Sequence, residues 1–350
     1  MTCYEAVRSL PLADRTVGEP DGCVRVRHCP LSREIGNGEI LARLTPAVSQ
    51  EGIPQFSSRK IGVINLPFLV REGLLMAETP QRSYPIERRA GEIERLHMQG
   101  DALAPDTAIM LDRIGVGPGW RCLDLGCGPR GITDLLSMRV GLNGRVVGLD
   151  ADAVFLDHAR QYAKSHGFMN VEFVSGDVYN SGLPARSFDL VHTRFVPSTV
   201  GNPEQLLKES IRLARPGGSV AFQESDMLTL NCYPAHPAWE RLKCAFAGIF
   251  PHIAGHPRPA HDLYRMLRQS GLQAVEYRPF LAGFRSSDRM ADYLPATIES
   301  TRSALIERRL ITASELDAAI QECRAHLADP DTLSTYHTVV QVWGTKPRRA

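Results

Sequence analysis

The sequence has almost no net charge, no long apolar run and no C-x-x-C cysteine pair. Its 350 residues include 40 Lys and Arg against 39 Asp and Glu, for a formal net charge of +1. Domains that bind nucleic acids usually carry a clear basic excess, so this balance gives no electrostatic reason to expect such a partner. No apolar run approaches the ~18–20 residues that cross a bilayer, and we therefore expect no membrane span.

Disulfides and metal ligands are not indicated either. The eight cysteines are scattered and the N-terminus has no apolar signal region, so we expect a cytoplasmic protein with free thiols. Cys23, His28 and Cys29 match no common zinc spacing. The histidines between His236 and His261 are irregularly spaced in a Pro-rich segment, and we predict no metal site there.

The composition is that of a folded protein, with 43% hydrophobic and 23% charged residues. Residues 1–80 have no lasting apolar periodicity and many interrupting Gly and Pro residues. We therefore predict a poorly ordered N-terminal extension, with Met76 as a plausible alternative start. Residues 81–350 form the predicted domain. It should begin with an amphipathic helix over 86–99, followed by a second helix that starts at Pro105.

Beyond Trp120, short apolar segments alternate with helical segments, which predicts an α/β fold. Strands separated by helices form a doubly wound, mostly parallel sheet. The helical segments are 132–140, 153–166, 203–214, 261–270, 290–303 and 313–327. The seven predicted strands are Arg121–Leu125, Arg145–Asp150, Val171–Val174, Phe188–His192, Ser219–Gln223, Ala274–Tyr277 and Thr338–Trp343.

A glycine-rich loop follows the first predicted strand and precedes a helix. Gly126, Gly128 and Gly131 satisfy G-x-G-x-x-G, and Asp150 ends the next strand, as in dinucleotide-binding enzymes. An NAD-dependent dehydrogenase must therefore be considered. However, Asp124 lies where the strand meets the loop, and its carboxylate would repel a pyrophosphate. It would favour a ligand with an ammonium and a sulfonium group, such as S-adenosylmethionine (SAM).

Five motifs decide between these interpretations by resemblance. The motifs are Asp124-x-Gly126-x-Gly128, Gly148-Leu-Asp150, Gly176-Asp177, Phe188-Asp-Leu-Val191 and Arg215-Pro-Gly-Gly218. In order and spacing they resemble the class I SAM-dependent methyltransferases, over about residues 93–222 with 338–347 as the last strand. The subtype resembles the ubiquinone/menaquinone-biosynthesis C-methyltransferases and their small-molecule relatives.

The resemblance implies a seven-stranded Rossmann-like methyltransferase fold, SAM as the cofactor and a set of contacts. The loop from Asp124 to Gly128 should hold the methionine part, Asp150 the ribose and Asp177 the adenine amino group. The residues implied in cofactor binding are Gln99, Asp124, Gly126, Cys127, Gly128, Asp150, Ala151, Asp177, Val178, His192 and Arg194.

The chain departs from the family pattern near the methyl acceptor. Arg130 replaces a usual glycine, and Thr199 stands where many relatives have a histidine. Segments 226–260 and 285–330 are additions that we expect to cover the acceptor site. His192 is the first candidate for a catalytic base, followed by Glu224 and Asp226, although methyl transfer by proximity alone is also possible. The catalytic candidates are His192, Glu224 and Asp226.

The sequence thus predicts a SAM-dependent methyltransferase that acts on an O, N or C atom of a small-molecule acceptor. One alternative is a methyltransferase-fold protein that works as a cyclase or binding module. Another is a nucleic-acid methyltransferase, although the segment His192-Thr-Arg-Phe195 lacks the Asn/Asp-Pro-Pro-aromatic run common in enzymes that act on exocyclic amines. The oligomeric state is not indicated.

Overall fold

A computed structural model describes residues 91–252 and 255–348, and the predicted extension 1–80 lies outside them. Seven strands form one sheet in the order β3-β2-β1-β4-β5-β10-β7. Strand β10 runs in the direction opposite to the other six strands of this sheet. The predicted doubly wound, mostly parallel sheet is confirmed. Its strands are β1 Arg121–Leu125, β2 Arg145–Asp150, β3 Val171–Ser175, β4 Phe188–Arg194, β5 Ala214–Asp226, β7 Gln273–Phe280 and β10 Thr338–Thr345.

Helices cover both faces of this sheet and one end of it. The helices are α1 Glu92–Ile114, α2 Thr133–Val140, α3 Ala153–Ser165, α4 Val196–Val200, α5 Pro203–Leu213, α6 Pro237–Ala247, α7 Ala260–Gln269, α8 Tyr293–Ser300, α9 Arg302–Glu307 and α10 Ala313–Leu327. Helices α1 and α2 pack on one face through residues such as Met110 and Leu136. Helices α5 and α7 pack on the other through Leu206 and Leu263. None of the described helices is long and apolar enough to cross a membrane.

The predicted helix start at Pro105 is wrong, because α1 continues through this residue for 23 residues in all. Proline leaves the carbonyl four residues earlier without its helical partner. That residue is Asp101, which is exposed, so water can bind the carbonyl. The apolar stripe of α1, including Leu103 and Met110, is fully buried. Packing therefore outweighs the local effect of the proline.

Three further features differ from the sequence prediction. Strand β5 extends to Asp226, because β10 pairs with it from Ser219 to that residue. The predicted helix over 290–303 is instead a 3-10 turn at Arg289–Asp292 followed by α8 and the start of α9. A second sheet was not predicted. Its strands are β6 Asn231–Tyr233, β8 Gly283–Arg285 and β9 Leu333–Thr335, in the order β6-β9-β8.

A separate hydrophobic core holds the two added segments together. Trp239 and Leu242 of α6 pack with Leu294 of α8 and with Leu316 and Ile320 of α10. These segments are therefore compact structure with their own buried side chains. They lie next to the carboxyl ends of β4 and β5, where the cavity described below opens.

Candidate functional site

A cavity of about 920 Å³ lies at the carboxyl ends of β1, β2 and β4. Open α/β sheets usually bind ligands in this position. Its walls come from the loops after β1, β2, β3 and β4 and from helices α1, α6 and α8. The volume is near the upper end of the roughly 300–1,000 Å³ of small-molecule sites, which leaves room for more than one ligand.

The glycine loop forms one wall of the cavity and requires residues without a side chain. Gly126 has φ +72° and Gly128 has φ +57°, a region that L residues rarely adopt. A Cβ on Gly126 would lie 2.4 Å from Cγ2 of Val196. The amides of Gly126 and Cys127 donate to the carbonyl of Leu149 at 2.7 and 3.0 Å, which ties the loop to β2. The loop thus exposes backbone to the cavity at a fixed position.

Asp124 uses both carboxylate oxygens to hold this loop in place. Its Oδ2 accepts from the amide of Ile132 at 2.9 Å, and its Oδ1 accepts from Nδ1 of His192 at 2.7 Å. A Cβ on Gly131 would lie 2.0 Å from Oδ2, so this glycine makes room for the carboxylate. Asp124 also lines the cavity. Its hydrogen bonds therefore fix the position of the glycine loop relative to β4.

Asp150 places a partly buried carboxylate on the cavity wall. Its Oδ2 accepts from the amide of Gly128 at 2.8 Å and its Oδ1 from the amide of Asp152 at 2.9 Å. Burial raises the pKa of Asp150, and these backbone hydrogen bonds oppose that effect. Burying this charge is unfavourable for the folded protein by itself.

The loop after β3 supplies the next wall. Asp177 and Val178 line the cavity together with Ala151 from the loop after β2. Oδ1 of Asp177 accepts from the amide of Tyr179 at 2.9 Å, so this carboxylate closes its own turn. The three residues lie where the sequence predicted them, beside Asp150.

Cys127, Gln99 and Arg194 also line the cavity. Burial raises the pKa of Cys127 well above its usual value, so this thiol stays neutral. The amide of Gln99 donates to the hydroxyl of Tyr336. Arg194 donates to the carbonyl of Gly131 at 3.1 Å, and burial lowers its pKa. All three support the walls through contacts within the protein.

Arg130, the departure from the family pattern, is held by two carboxylates. It pairs with Asp134 at 2.7 Å and with Asp101 of α1, and its guanidinium lies 4.9 Å from the ring centre of Tyr162. It therefore links α1 to the start of α2 beneath the cavity edge. These two carboxylates already balance the charge with which it could otherwise bind an anionic ligand.

The structure argues against His192 as a base or a cofactor contact. The ring is fully buried and does not line the cavity. Its Nδ1 donates to Asp124, and its Nε2 accepts from the side-chain amide of Gln223 at 2.9 Å. Gln223 in turn accepts from Gln341 at 3.0 Å. His192 therefore belongs to a polar row that crosses the sheet on the α1 side, because alternate residues of a strand face the same way.

Glu224 and Asp226 are also placed away from the cavity. Glu224 is fully buried, and burial raises its pKa to about 8. Asp226 binds Nη2 of Arg258 at 3.1 Å and Nε2 of His261 at 2.7 Å. The sequence placed both residues in a loop, but they continue β5 and turn into the protein. Their geometry does not support a catalytic role for either one.

Comparison with known proteins identifies the family. A family model described as "Methyltransferase domain" matches residues 117–271. The chain is 31% identical over 185 residues to a demethylmenaquinone methyltransferase of Anoxybacillus flavithermus, covering 49% of this chain and 78% of that protein. The chain belongs to the class I SAM-dependent methyltransferases. This confirms the predicted family, its small-molecule branch and its cofactor, and it removes the dehydrogenase interpretation.

Two further matches show how far the similarity extends. A 37.1 kDa protein of transposon TN4556 from Streptomyces fradiae is 35% identical over 229 residues, and the match covers 65% of this chain and 63% of that protein. The crystal structure of a SAM-dependent methyltransferase from Aquifex aeolicus matches with a TM-score of 0.41 and 20% identity, covering 55% of this chain and 92% of that one. The fold assignment rests on the strand order given above.

One part of the methyltransferase cavity is lined by residues that come from outside the glycine loop, and we call this part the acceptor chamber. Most of its wall is apolar or aromatic, and it takes residues from α6, α8 and the turn before β10. Sequence reasoning missed these residues, since lone aromatic side chains and a lone histidine carry no motif. The acceptor chamber is lined by Phe195, Met227, Phe246, Tyr293, Thr297 and His337.

One charge beside the acceptor chamber is compensated within α1. Arg95 lines the cavity, and its guanidinium binds the carboxylate of Glu92 through two hydrogen bonds of 2.7 and 2.8 Å. Both side chains are buried.

Among the described residues, no group of three or more His, Cys, Asp or Glu side chains could hold a metal ion.

Proposed function

We propose that this methyltransferase transfers the methyl group of SAM to an O, N or C atom of a small molecule with an aromatic or apolar body. The observation that supports the proposal is the acceptor chamber, whose residues line the same cavity as the glycine loop. Apolar and aromatic walls with few polar groups are typical of small-molecule sites. Met227 and Phe246 come from segment 226–260, and Tyr293 and Thr297 from segment 285–330. Both segments therefore supply part of the cavity wall, which fits the expectation that they cover the acceptor site.

The glycine side of the cavity fits SAM. A carboxylate offers about four lone-pair sites, and backbone amides occupy two of those on Asp150, which leaves two for the ribose hydroxyls. The bare backbone at Gly126 and Gly128 allows the close approach that the methionine part needs. Asp177 and Val178 lie beside Asp150, where the adenine would follow.

The bound cofactor supplies a methyl group on a sulfonium, which is already a strong electrophile. The residues of this chain mainly align the acceptor and exclude water. Well-oriented reactants can gain about 7–11 kcal/mol from this effect. Because the three predicted base candidates lie away from the cavity, alignment in the acceptor chamber is the main contribution that we assign to the protein.

The proposal is tested by incubating the full chain with SAM and three acceptor classes. These are hydroxylated aromatics, alkyl amines and single-stranded nucleic acid, with release of S-adenosylhomocysteine as the readout. We expect turnover with a small-molecule class. Methylation of nucleic acid alone would overturn the proposal. Binding of SAM without turnover of any class would favour a cyclase or binding module.

A matched pair of variants tests the acceptor chamber itself. Phe246 lines it, whereas Phe250 packs against Phe246 with ring centres 5.5 Å apart and does not line the cavity. Both rings are buried, so Phe246→Ala and Phe250→Ala should destabilise the fold similarly, by about 3–5 kcal/mol. Only Phe246→Ala should raise the KM of the acceptor. Equal effects on KM would contradict the placement of the acceptor.

A further inference from the structure

Two buried polar side chains of the acceptor chamber have no hydrogen-bond partner among the described residues. These are the hydroxyl of Thr297 on α8 and both ring nitrogens of His337, just before β10. Each residue is only 1% exposed, and both line the same cavity. Buried polar groups in native proteins nearly always have a partner, so two such side chains facing one cavity require an explanation.

Aromatic rings fix the orientation of the His337 imidazole. The ring centre of Tyr336 lies 3.7 Å away, and Phe195 and Tyr293 approach edge-on at 5.5 and 5.9 Å. Thr297 follows Tyr293 by one helical turn and therefore shares its face of α8. The hydroxyl and the imidazole thus belong to the same wall of the acceptor chamber.

The polar part of this wall is electrically neutral. Burial, together with the charge of Arg95, lowers the pKa of His337 to about 3, so the imidazole stays uncharged at neutral pH. A neutral imidazole has one donor and one acceptor nitrogen, and a threonine hydroxyl can do either. Arg95 is itself bound to Glu92. The wall can therefore satisfy a hydroxyl group, whereas a ligand ammonium would be buried there without an opposite charge.

We propose that Thr297 and His337 form a polar subsite that binds the hydroxyl group of a neutral, hydroxylated aromatic acceptor. The aromatic and apolar side chains of the acceptor chamber would contact the ring of this molecule. The assignment rests on the proposed function and narrows its acceptor class. It makes these two residues binding residues for the acceptor, with no proton transfer assigned to either.

The test compares 1-naphthol with naphthalene, which lacks only the hydroxyl group. Both are titrated into the full chain by calorimetry in the presence of S-adenosylhomocysteine. Thr297→Val keeps the shape of the side chain, and His337→Phe keeps an aromatic ring. Each variant should bind 1-naphthol roughly ten-fold more weakly, as expected for one lost hydrogen bond, while naphthalene affinity stays the same. The melting temperature should not fall, because a buried polar group without a partner is removed.

Thr193 provides the matched control. Its hydroxyl is also buried without a partner among the described residues, but it does not line the cavity. Thr193→Val should leave 1-naphthol affinity unchanged. Equal losses in Thr193→Val and Thr297→Val, equal losses for both ligands, or no loss in Thr297→Val and His337→Phe would each overturn the subsite. If the parent protein binds neither ligand, the aromatic acceptor class fails, and the subsite fails with it.

Discussion

Replacement of Asp150 should separate ligand binding from folding. Its two backbone contacts leave about two lone-pair sites for the ribose hydroxyls of SAM. A hydrogen bond to a charged group contributes about 1.5–3 kcal/mol, which corresponds to roughly 10- to 150-fold in Kd. Asp150→Ala should therefore weaken SAM binding by at least this range, since both ribose contacts are lost.

Replacing Asp150 should leave the stability of the folded protein nearly unchanged or raise it, although it weakens SAM binding. Because burial raises the pKa of Asp150, the folded protein holds the ionised form less well than the unfolded chain does. Above that pKa the charge therefore opposes folding. Asp150→Asn removes the charge and keeps an oxygen for one backbone amide. We expect its melting temperature at pH 7 to be unchanged or higher while its SAM affinity falls.

Calorimetric titration with SAM and thermal unfolding together check this reasoning. Asp157→Asn on α3 is the control, since its side chain is 68% exposed and pairs with Arg160 at the surface. It should change neither quantity. If Asp150→Ala and Asp150→Asn both fold and bind SAM with the affinity of the parent, Asp150 does not contact the cofactor.

Three further substitutions test the roles assigned above. Gly126→Ala would force a Cβ to 2.4 Å from Val196 at φ +72°, so we expect at least about 1–2 kcal/mol of lost stability and weaker SAM binding by calorimetry. His192→Leu removes one of the two hydrogen-bond donors to the buried Asp124 carboxylate, so denaturant unfolding should show a loss of about 1–3 kcal/mol. A stable His192→Leu variant without turnover would restore this residue as a base. Burial raises the pKa of Glu224 from 4.5 to about 8, so the folded protein keeps this carboxyl protonated where the unfolded chain would ionise it. The free energy of unfolding should therefore fall as the pH rises from 4.5 to about 8. Glu224→Gln should remove this dependence and melt higher than the parent at pH 8; parallel pH curves would contradict it.

The sequence predicted the sheet and the glycine side of the cavity because both are encoded locally. Buried parallel strands appear as short apolar runs, and the loop requires glycines at particular backbone angles. Asp124, Asp150 and Asp177 follow strands directly, so their position at one sheet edge could be inferred from the strand order. All three line the cavity.

The acceptor side was not predictable in the same way, because it depends on contacts between distant segments. The second sheet joins three-residue strands from residues 231 to 335, and strands this short have no detectable periodicity. His337 acquires its position only when β10 pairs with β5. The error at His192 has a different origin. Strand alternation places this residue on the same sheet face as Asp124, and the sequence itself encodes that alternation.

The two added segments also require a different experiment from the one that their sequence suggests. Deletion of 285–330 would appear to be a direct test of an acceptor cover, but Leu294, Leu305 and Leu316 are fully buried in a core shared with α6. Removing them would expose the apolar side of α6, and loss of turnover would then report unfolding. Single substitutions in the cavity wall avoid this problem.

The polar row beneath the cavity explains how the glycine loop keeps its position without help from a ligand. One oxygen of Asp124 holds the loop at Ile132, and the other binds His192 in β4. His192 is bound by Gln223 in β5, which is bound by Gln341 in β10. Each of these side chains has its partners, so the row avoids the penalty of incomplete buried networks. The loop is therefore anchored to four strands of the sheet before any ligand binds.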